Sequence, residues 1–233
     1  MNEPERVIII AEGLTRHFGA HAAIAGISFE VRKGEVFGLL GSDGAGKTTT
    51  LQILAAILNP TAGRATVLGS DTVREAAAVN ARIGYMSQAF SIYGRLTLDE
   101  NLDFFASLHR VSDEAAKERK GRLLDFARLG SHRDRLARHL SGGMQKKLAL
   151  CCALIHEPEL LILDEPTTGV DPVSRREFWG ILYRALAAGT TIVVSTPYMD
   201  EAERCTRVAL LHNGCFVAFD APGKLRQDRK SVV

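Results

Sequence analysis

The chain has 233 residues, of which 46% are hydrophobic and 24% charged, a composition that suits a globular fold with a sizeable buried core. A formal net charge of +2 leaves no footprint for nucleic acid or for a charged membrane surface, so no nucleic-acid partner is expected. No apolar run approaches the roughly 20 residues of a membrane span, and the early Val7-Ile8-Ile9-Ile10 is only strand-sized, so any membrane role would depend on a separate partner.

Short apolar runs between polar turns predict strands over residues 7–11, 24–31 and 36–40. The third runs into Gly41-Ser42-Asp43-Gly44-Ala45-Gly46-Lys47-Thr48, and a helix through residue 58 follows, with Leu51, Leu54, Ala55 and Leu58 at helical spacing. A turn at Asn59-Pro60-Thr61-Ala62-Gly63 leads to strands over 64–68 and 83–87, the latter ending at Gln88. Thr97-Leu98-Asp99-Glu100 then forms a capping box that opens a helix to about residue 109. A second helix over 113–129 carries a charged, solvated face, with Gly130 as its stop. A third starts after Ser141-Gly142-Gly143 and places Leu148, Cys151, Cys152 and Ile155 on its apolar side. Residues 160–163 are a continuous apolar run, as expected of a parallel strand covered on both faces. Asp171-Pro172 opens a helix that ends before Gly189, with Asp as cap and Pro in the first turn. A buried strand over 191–195 and a hairpin over 208–219 around Asn213-Gly214 complete the series. The four cysteines (Cys151, Cys152, Cys205, Cys215) lack C-x-x-C spacing and read as reduced thiols of a cytosolic protein.

The strand–glycine loop–helix segment carries the strongest chemistry. Glycines let successive backbone N–H groups point at one anion, and the helix N-terminus adds roughly half a positive charge. Lys47 can reach terminal phosphates, the Thr48 hydroxyl can ligate Mg²⁺, and Thr49 continues the helix start. That pattern implies a nucleoside triphosphate. Asp164 and Glu165 end the apolar strand 160–163, at the sheet edge where ligands collect. Asp164 suits Mg²⁺, and Glu165 suits a general base toward an attacking water. Ser141-Gly142-Gly143 at a helix start is a second anion cradle, although such a triplet can also be a plain serine-capped helix.

Taken together, these segments resemble the nucleotide-binding domain of ABC transporters, over nearly the whole chain. Leu140-Ser141-Gly142-Gly143-Met144-Gln145 is similar to the family's signature motif, with Met144 before Gln145 as in many exporters. The resemblance implies an α/β fold: a P-loop NTPase (RecA-like) core with an N-terminal antiparallel β-subdomain and an inserted α-helical subdomain. The core would be about 1–89 and 157–233 and the insert about 90–156, in one domain. It further implies that two such domains stack head to tail, so that Ser141, Gly142 and Gly143 serve the partner's ATP. Gln88 matches the glutamine that senses Mg²⁺ and the attacking water. Phe18 takes the place of the aromatic that stacks on adenine, and Gly169-Val170-Asp171 resembles the loop at the dimer seam. On this view Glu165, Lys47 and Gln88 are catalytic. Gly41, Ser42, Asp43, Gly44, Ala45, Gly46, Lys47, Thr48 and Thr49 hold the nucleotide, and Thr48, Gln88 and Asp164 hold the metal.

One position departs from the pattern. In Ser195-Thr196-Pro197-Tyr198-Met199-Asp200-Glu201-Ala202-Glu203, Pro197 stands where the family normally has a histidine that contacts the γ-phosphate. Proline supplies neither a side-chain donor nor an N–H, so the site built on this loop is expected to bind ATP and hydrolyse it slowly. None of the seven histidines is an obvious substitute. The sequence resembles the first, degenerate half of a tandem-domain subunit of drug-efflux (ABC-2) exporters. A transmembrane permease is then expected to dock near residues 90–98, with the chain on the cytoplasmic face of the cell membrane. A soluble ABC protein acting on ribosomes or DNA, and a largely non-hydrolytic ATP-binding half, stand as alternatives.

Overall fold

The computed structural model describes residues 6–89 and 92–223. Two sheets organise it. The first is antiparallel, in the order β2-β1-β4-β5, from β1 (Val7–Phe18), β2 (His21–Arg32), β4 (Ala62–Val67) and the two-residue β5 (Ser70–Asp71). Its β1 and β2 are longer than their apolar runs because Leu14–Phe18 and His21–Ile27 still pair with each other. The second sheet has the order β10-β9-β3-β8-β7-β6. It comprises β3 (Val36–Leu40), β6 (Ile83–Met86), β7 (Leu160–Asp164), β8 (Thr191–Thr196), β9 (Arg207–His212) and β10 (Cys215–Asp220). All its pairings are parallel except the hairpin β9–β10. Every residue of β3, β7 and β8 is buried, which is why these strands read as unbroken apolar runs.

Helices cover both faces. α1 (Lys47–Leu54) follows the glycine loop. It stops four residues short of the expected end because Ala56 adopts φ 54° and the chain turns away. α2 (Ala76–Asn80) and the single-turn α7 (Met199–Ala202) carried no readable periodicity. The helical insert holds α3 (Leu98–Leu108), α4 (Asp113–Ala127) and α5 (Gly142–Leu154). Thr97 and Glu100 form the expected capping box on α3. α4 ends earlier than expected: Arg128 at φ 55° caps it, and Gly130 instead opens a short 3-10 turn. α6 (Pro172–Ala187) begins on Asp171, whose carboxylate accepts the amides of Val173 and Ser174 at 3.0 and 2.9 Å.

Two apolar clusters result. One packs β1, β2, β4 and α1 against one face of the parallel sheet, around Ile9, Phe37, Leu51 and Leu160. The other packs α3–α6 against the opposite face, around Leu102, Leu148, Trp179 and Val194. Sandwiching the sheet fixes the C-terminal ends of β3, β7 and β8 side by side, and the polar site lies there. All four cysteines are free thiols. Among the described residues, no helix is long and apolar enough to cross a membrane.

Candidate nucleotide site

The loop from Gly41 to Gly46 links β3 to α1 with no tolerance for side chains at two points. A Cβ on Gly46, which has φ 106°, would lie 2.4 Å from the Ala23 carbonyl oxygen. A Cβ on Gly41 would lie 2.5 Å from that of Leu211. The loop therefore nests against β2 and β9, and this leaves Lys47, at the first turn of α1, pointing back into its curve. The Lys47 ammonium is 3% exposed and donates to the carbonyls of Gly41 and Ser42 at 2.8 and 2.9 Å. Its third partner is a Glu165 carboxylate oxygen at 3.0 Å.

Glu165 follows β7 directly and sits at φ 44°, a left-handed conformation that a non-glycine residue holds only when its surroundings enforce it. Its N–H donates to Ser195 Oγ at 2.9 Å, and Ser195 Oγ donates to Asp164 Oδ1 at 2.7 Å. Gln88 Nε2 and Thr168 Oγ1 both donate to Glu165 Oε2, at 3.2 and 3.3 Å. Asp164 Oδ2 is buried without a hydrogen-bond partner, a costly state for a carboxylate oxygen unless a cation completes it. Thr48 and Gln88 border the cavity that contains Glu165, the residue after Asp164, and the oxygens of Thr48, Gln88 and Asp164 are of the hard type that Mg²⁺ takes. Burial and the neighbouring Asp164 carboxylate push the Tyr85 hydroxyl up to about 12.

These residues border a cavity of about 500 Å³, lined by Phe18, Asp43, Gly44, Gly46, Lys47, Thr48, Thr49, Gln88 and Glu165. The volume suits a nucleotide. Ala45 is buried under the loop and Asp164 beneath the floor. Phe18 is 49% exposed at the far lip, with the Arg16 guanidinium stacked 4.7 Å from its ring centroid. A larger cavity of about 790 Å³ lies by the N-terminal ends of β7 and β8, between α4 and α6, and contains none of the residues above.

Comparison with known proteins agrees with this geometry. A family model described as ABC transporter matches residues 24–168. The chain belongs to the ABC transporter family. It is 42% identical, over 96% of its length, to the probable multidrug ABC transporter ATP-binding protein YbhF of Escherichia coli, of which it covers 39%. It is 38% identical over 100% of its length to the daunorubicin/doxorubicin resistance ATP-binding protein DrrA of Streptomyces peucetius, covering 71% of that protein. A solved structure of an ATP binding subunit of an ABC transporter superposes with a TM-score of 0.86 at 28% identity, covering 96% of this chain and 93% of that one. The chain thus spans well under half the length of the first of these relatives.

In this ABC ATP-binding domain the Ser141-Gly142-Gly143 segment lies apart from the loop around Lys47. Ser141 caps α5, its hydroxyl accepting the Met144 amide at 3.3 Å. Neither it nor Gly142 or Gly143 borders the cavity around Lys47. Ser141 and Gly142 are exposed, and a Cβ on Gly142 would meet nothing within 4 Å. Gly143 is different: it is buried against α6, where a Cβ would fall 2.5 Å from Ser174 Oγ. Its glycine is therefore required by the packing of this chain itself, whatever else it serves.

Several site residues escaped the sequence reading. Lys146, 5% exposed, donates to the Gln88 carbonyl at 2.9 Å, and burial lowers its pKa against the pull of Asp164 and Glu165. Beside Gln145 and Lys147 at the polar start of α5, Lys146 carries no signal in the sequence. Ser195 joins Asp164 to Glu165, and the readable hint was a polar residue ending a buried strand. His21 lines the cavity, but it pairs with Phe18 across the β1–β2 turn. That places it at the aromatic lip rather than beside Lys47, so it does not take the place of the missing histidine.

Proposed function

We propose that this chain is the ATP-hydrolysing subunit of a drug-efflux-type exporter, working through a separate membrane permease. The buried Lys47–Glu165 pair facing one cavity with Gln88 bonded to it, and the unpartnered oxygen of Asp164 beneath that cavity, is the observation that carries this reading. The loop amides from Gly41 to Gly46 and the Lys47 ammonium grip the phosphates, with Thr48 and Thr49 at the helix start. Phe18 stacks on the base. Thr48, Gln88 and Asp164 hold Mg²⁺, which when bound neutralises phosphate charge. Glu165 accepts the proton of the attacking water, and Gln88, bonded to it, orients that water.

Two features support the assembly. Ser141 and Gly142 face solvent away from their own cavity, as a cradle meant for a second domain's nucleotide would. Tyr93, Phe104 and Leu108 form an exposed apolar patch, with the two rings edge-on at 4.7 Å, next to the segment expected to meet the permease. Residues 90 and 91 of that segment lie outside the described residues. The relatives' names, multidrug and daunorubicin/doxorubicin resistance ATP-binding proteins, support drugs as the exported class. The purified subunit should associate into pairs on adding Mg-ATP when hydrolysis is blocked by Glu165→Gln, and Ser141→Arg should abolish the association. Failure of ATP to pair the blocked subunit, alone or with its second domain, would sink the transporter reading.

A further inference from the structure

Glu201 is a carboxylate with 1% exposure on a helix of only four residues, and nothing above gives it a task. Three segments converge on it. Thr167 Oγ1, two residues past Glu165, donates to its Oε1. Thr196 Oγ1 donates to its Oε2 at 2.7 Å and itself accepts the Tyr198 amide at 3.0 Å. Arg175, in the first turns of α6, brings Nε to 3.5 Å from Oε1. The carbonyl of Thr196 meanwhile accepts the Gly41 amide at 3.4 Å. One carboxylate thus ties the loop after Glu165 to the turn after β8, and through Thr196 to the first residue of the phosphate loop.

Removing a carboxylate from water costs several kcal/mol unless partners compensate, and a merely packed turn would be served better by an apolar side chain. The residue this network steadies is itself strained: Glu165 holds φ 44°. Pro197, between Thr196 and Tyr198, offers no side-chain donor that could steady the turn instead.

We propose that Glu201 is a positioning residue for hydrolysis, clamping Thr167 to Thr196 so that Glu165 keeps its place beside Lys47. The proposal rests on Glu165 being the base, and the experiment separates the two ideas. In the intact subunit, Glu201→Gln and the nearly isosteric Thr167→Val should each lower kcat roughly 10- to 100-fold, as misplacement of a reacting group does, with KM within about twofold. The pair combined should cost little more than the worse single change, because both break one linkage. Amide exchange should quicken over residues 165–169 and stay unchanged in β3. Wild-type kcat in both variants, while Glu165→Gln abolishes turnover, overturns the clamp and leaves the base intact. Unchanged turnover in Glu165→Gln overturns the base and the clamp with it. If Glu201→Gln does not fold, Thr167→Val decides alone: a normal kcat, or exchange over 165–169 that does not change, rejects the clamp.

Discussion

The Lys47 ammonium lies 3.0 Å from the Glu165 carboxylate, with both side chains almost wholly buried. Two loop carbonyls occupy its other donors, so incoming phosphates must displace at least one of the three acceptors. In the proposed site Glu165 would oppose ATP twice, by holding Lys47 and by placing a negative charge beside the phosphates. Glu165→Gln removes the charge and keeps the shape. ATP affinity should rise about tenfold, worth ~1.4 kcal/mol, while phosphate release falls by at least about a hundredfold. Equilibrium titration with a fluorescent ATP analogue, together with a phosphate-release assay, measures both; weaker binding would contradict this account of the ion pair.

Pro197 follows Thr196, whose hydroxyl bonds Glu201 and Tyr198 and whose carbonyl bonds Gly41. The Thr196 hydroxyl is thereby committed to Glu201 and cannot donate in place of the family's histidine. Pro197→His restores a donor, and by the worth of one preorganised hydrogen bond in a transition state it should raise kcat by about a hundredfold, ~3 kcal/mol. ATP affinity should change far less. An unchanged ATPase rate in the assembled complex would show that the turn does not limit hydrolysis.

The legibility of this chain divided along physical lines. Glycine spacing, the capping residues Thr97 and Asp171, and the unbroken apolar strands β7 and β8 are local, and the structure reproduces them. Ser141 caps α5, the plainer reading its triplet also allowed, and the helix starts at Gly142 rather than after Gly143. What could not be read is what depends on distant partners. The end of α4 at Arg128 instead of Gly130 was missed for another reason: a left-handed arginine is costly alone, and local propensity does not anticipate one held by the Arg128 amide on Asp125 and the Leu129 amide on Leu124. Lys146 and Glu201 look like ordinary surface charges in sequence, yet each is buried because its partners lie 58 residues away at Gln88 and 34 away at Thr167.

Arg16 covers one face of Phe18 at 4.7 Å and fixes itself to the Asn59 carbonyl at 3.0 Å, leaving the ring about half exposed. A cation behind the ring makes that ring a better partner for a base stacked in front. Phe18→Ala should weaken ATP binding by about 1 to 3 kcal/mol, the usual worth of a base–aromatic stack. Arg16→Ala should weaken it by a smaller amount, and by nothing further once Phe18 is gone. Binding of inorganic tripolyphosphate, which has no base, should be unaffected by either change. Calorimetry with both ligands tests this, and an equal loss for tripolyphosphate would move the two residues out of base recognition.

His109 caps α3 and stacks on His156 at 3.6 Å with the rings nearly parallel. His156 also bonds the Ile83 carbonyl at 3.0 Å, at the start of β6. The stack thus joins the helical insert to the strand that leads to Gln88. Burial first, then the neighbouring His109 and Arg119, lowers the His156 pKa to about 4, and burial lowers that of His109. A depressed histidine pKa means that between about 4 and the unfolded value of about 6.5 the unfolded chain binds more protons, so stability rises with pH across that window. Above pH 6.5 the contribution is complete, and it is lost as pH falls toward 4. For a partly exposed ring we expect about 2 kcal/mol after solvent screening. Urea unfolding at pH 4.5, 5.5 and 7 measures the slope. His156→Gln should flatten it while keeping a donor for Ile83, and an unchanged slope would assign the acid sensitivity to other groups.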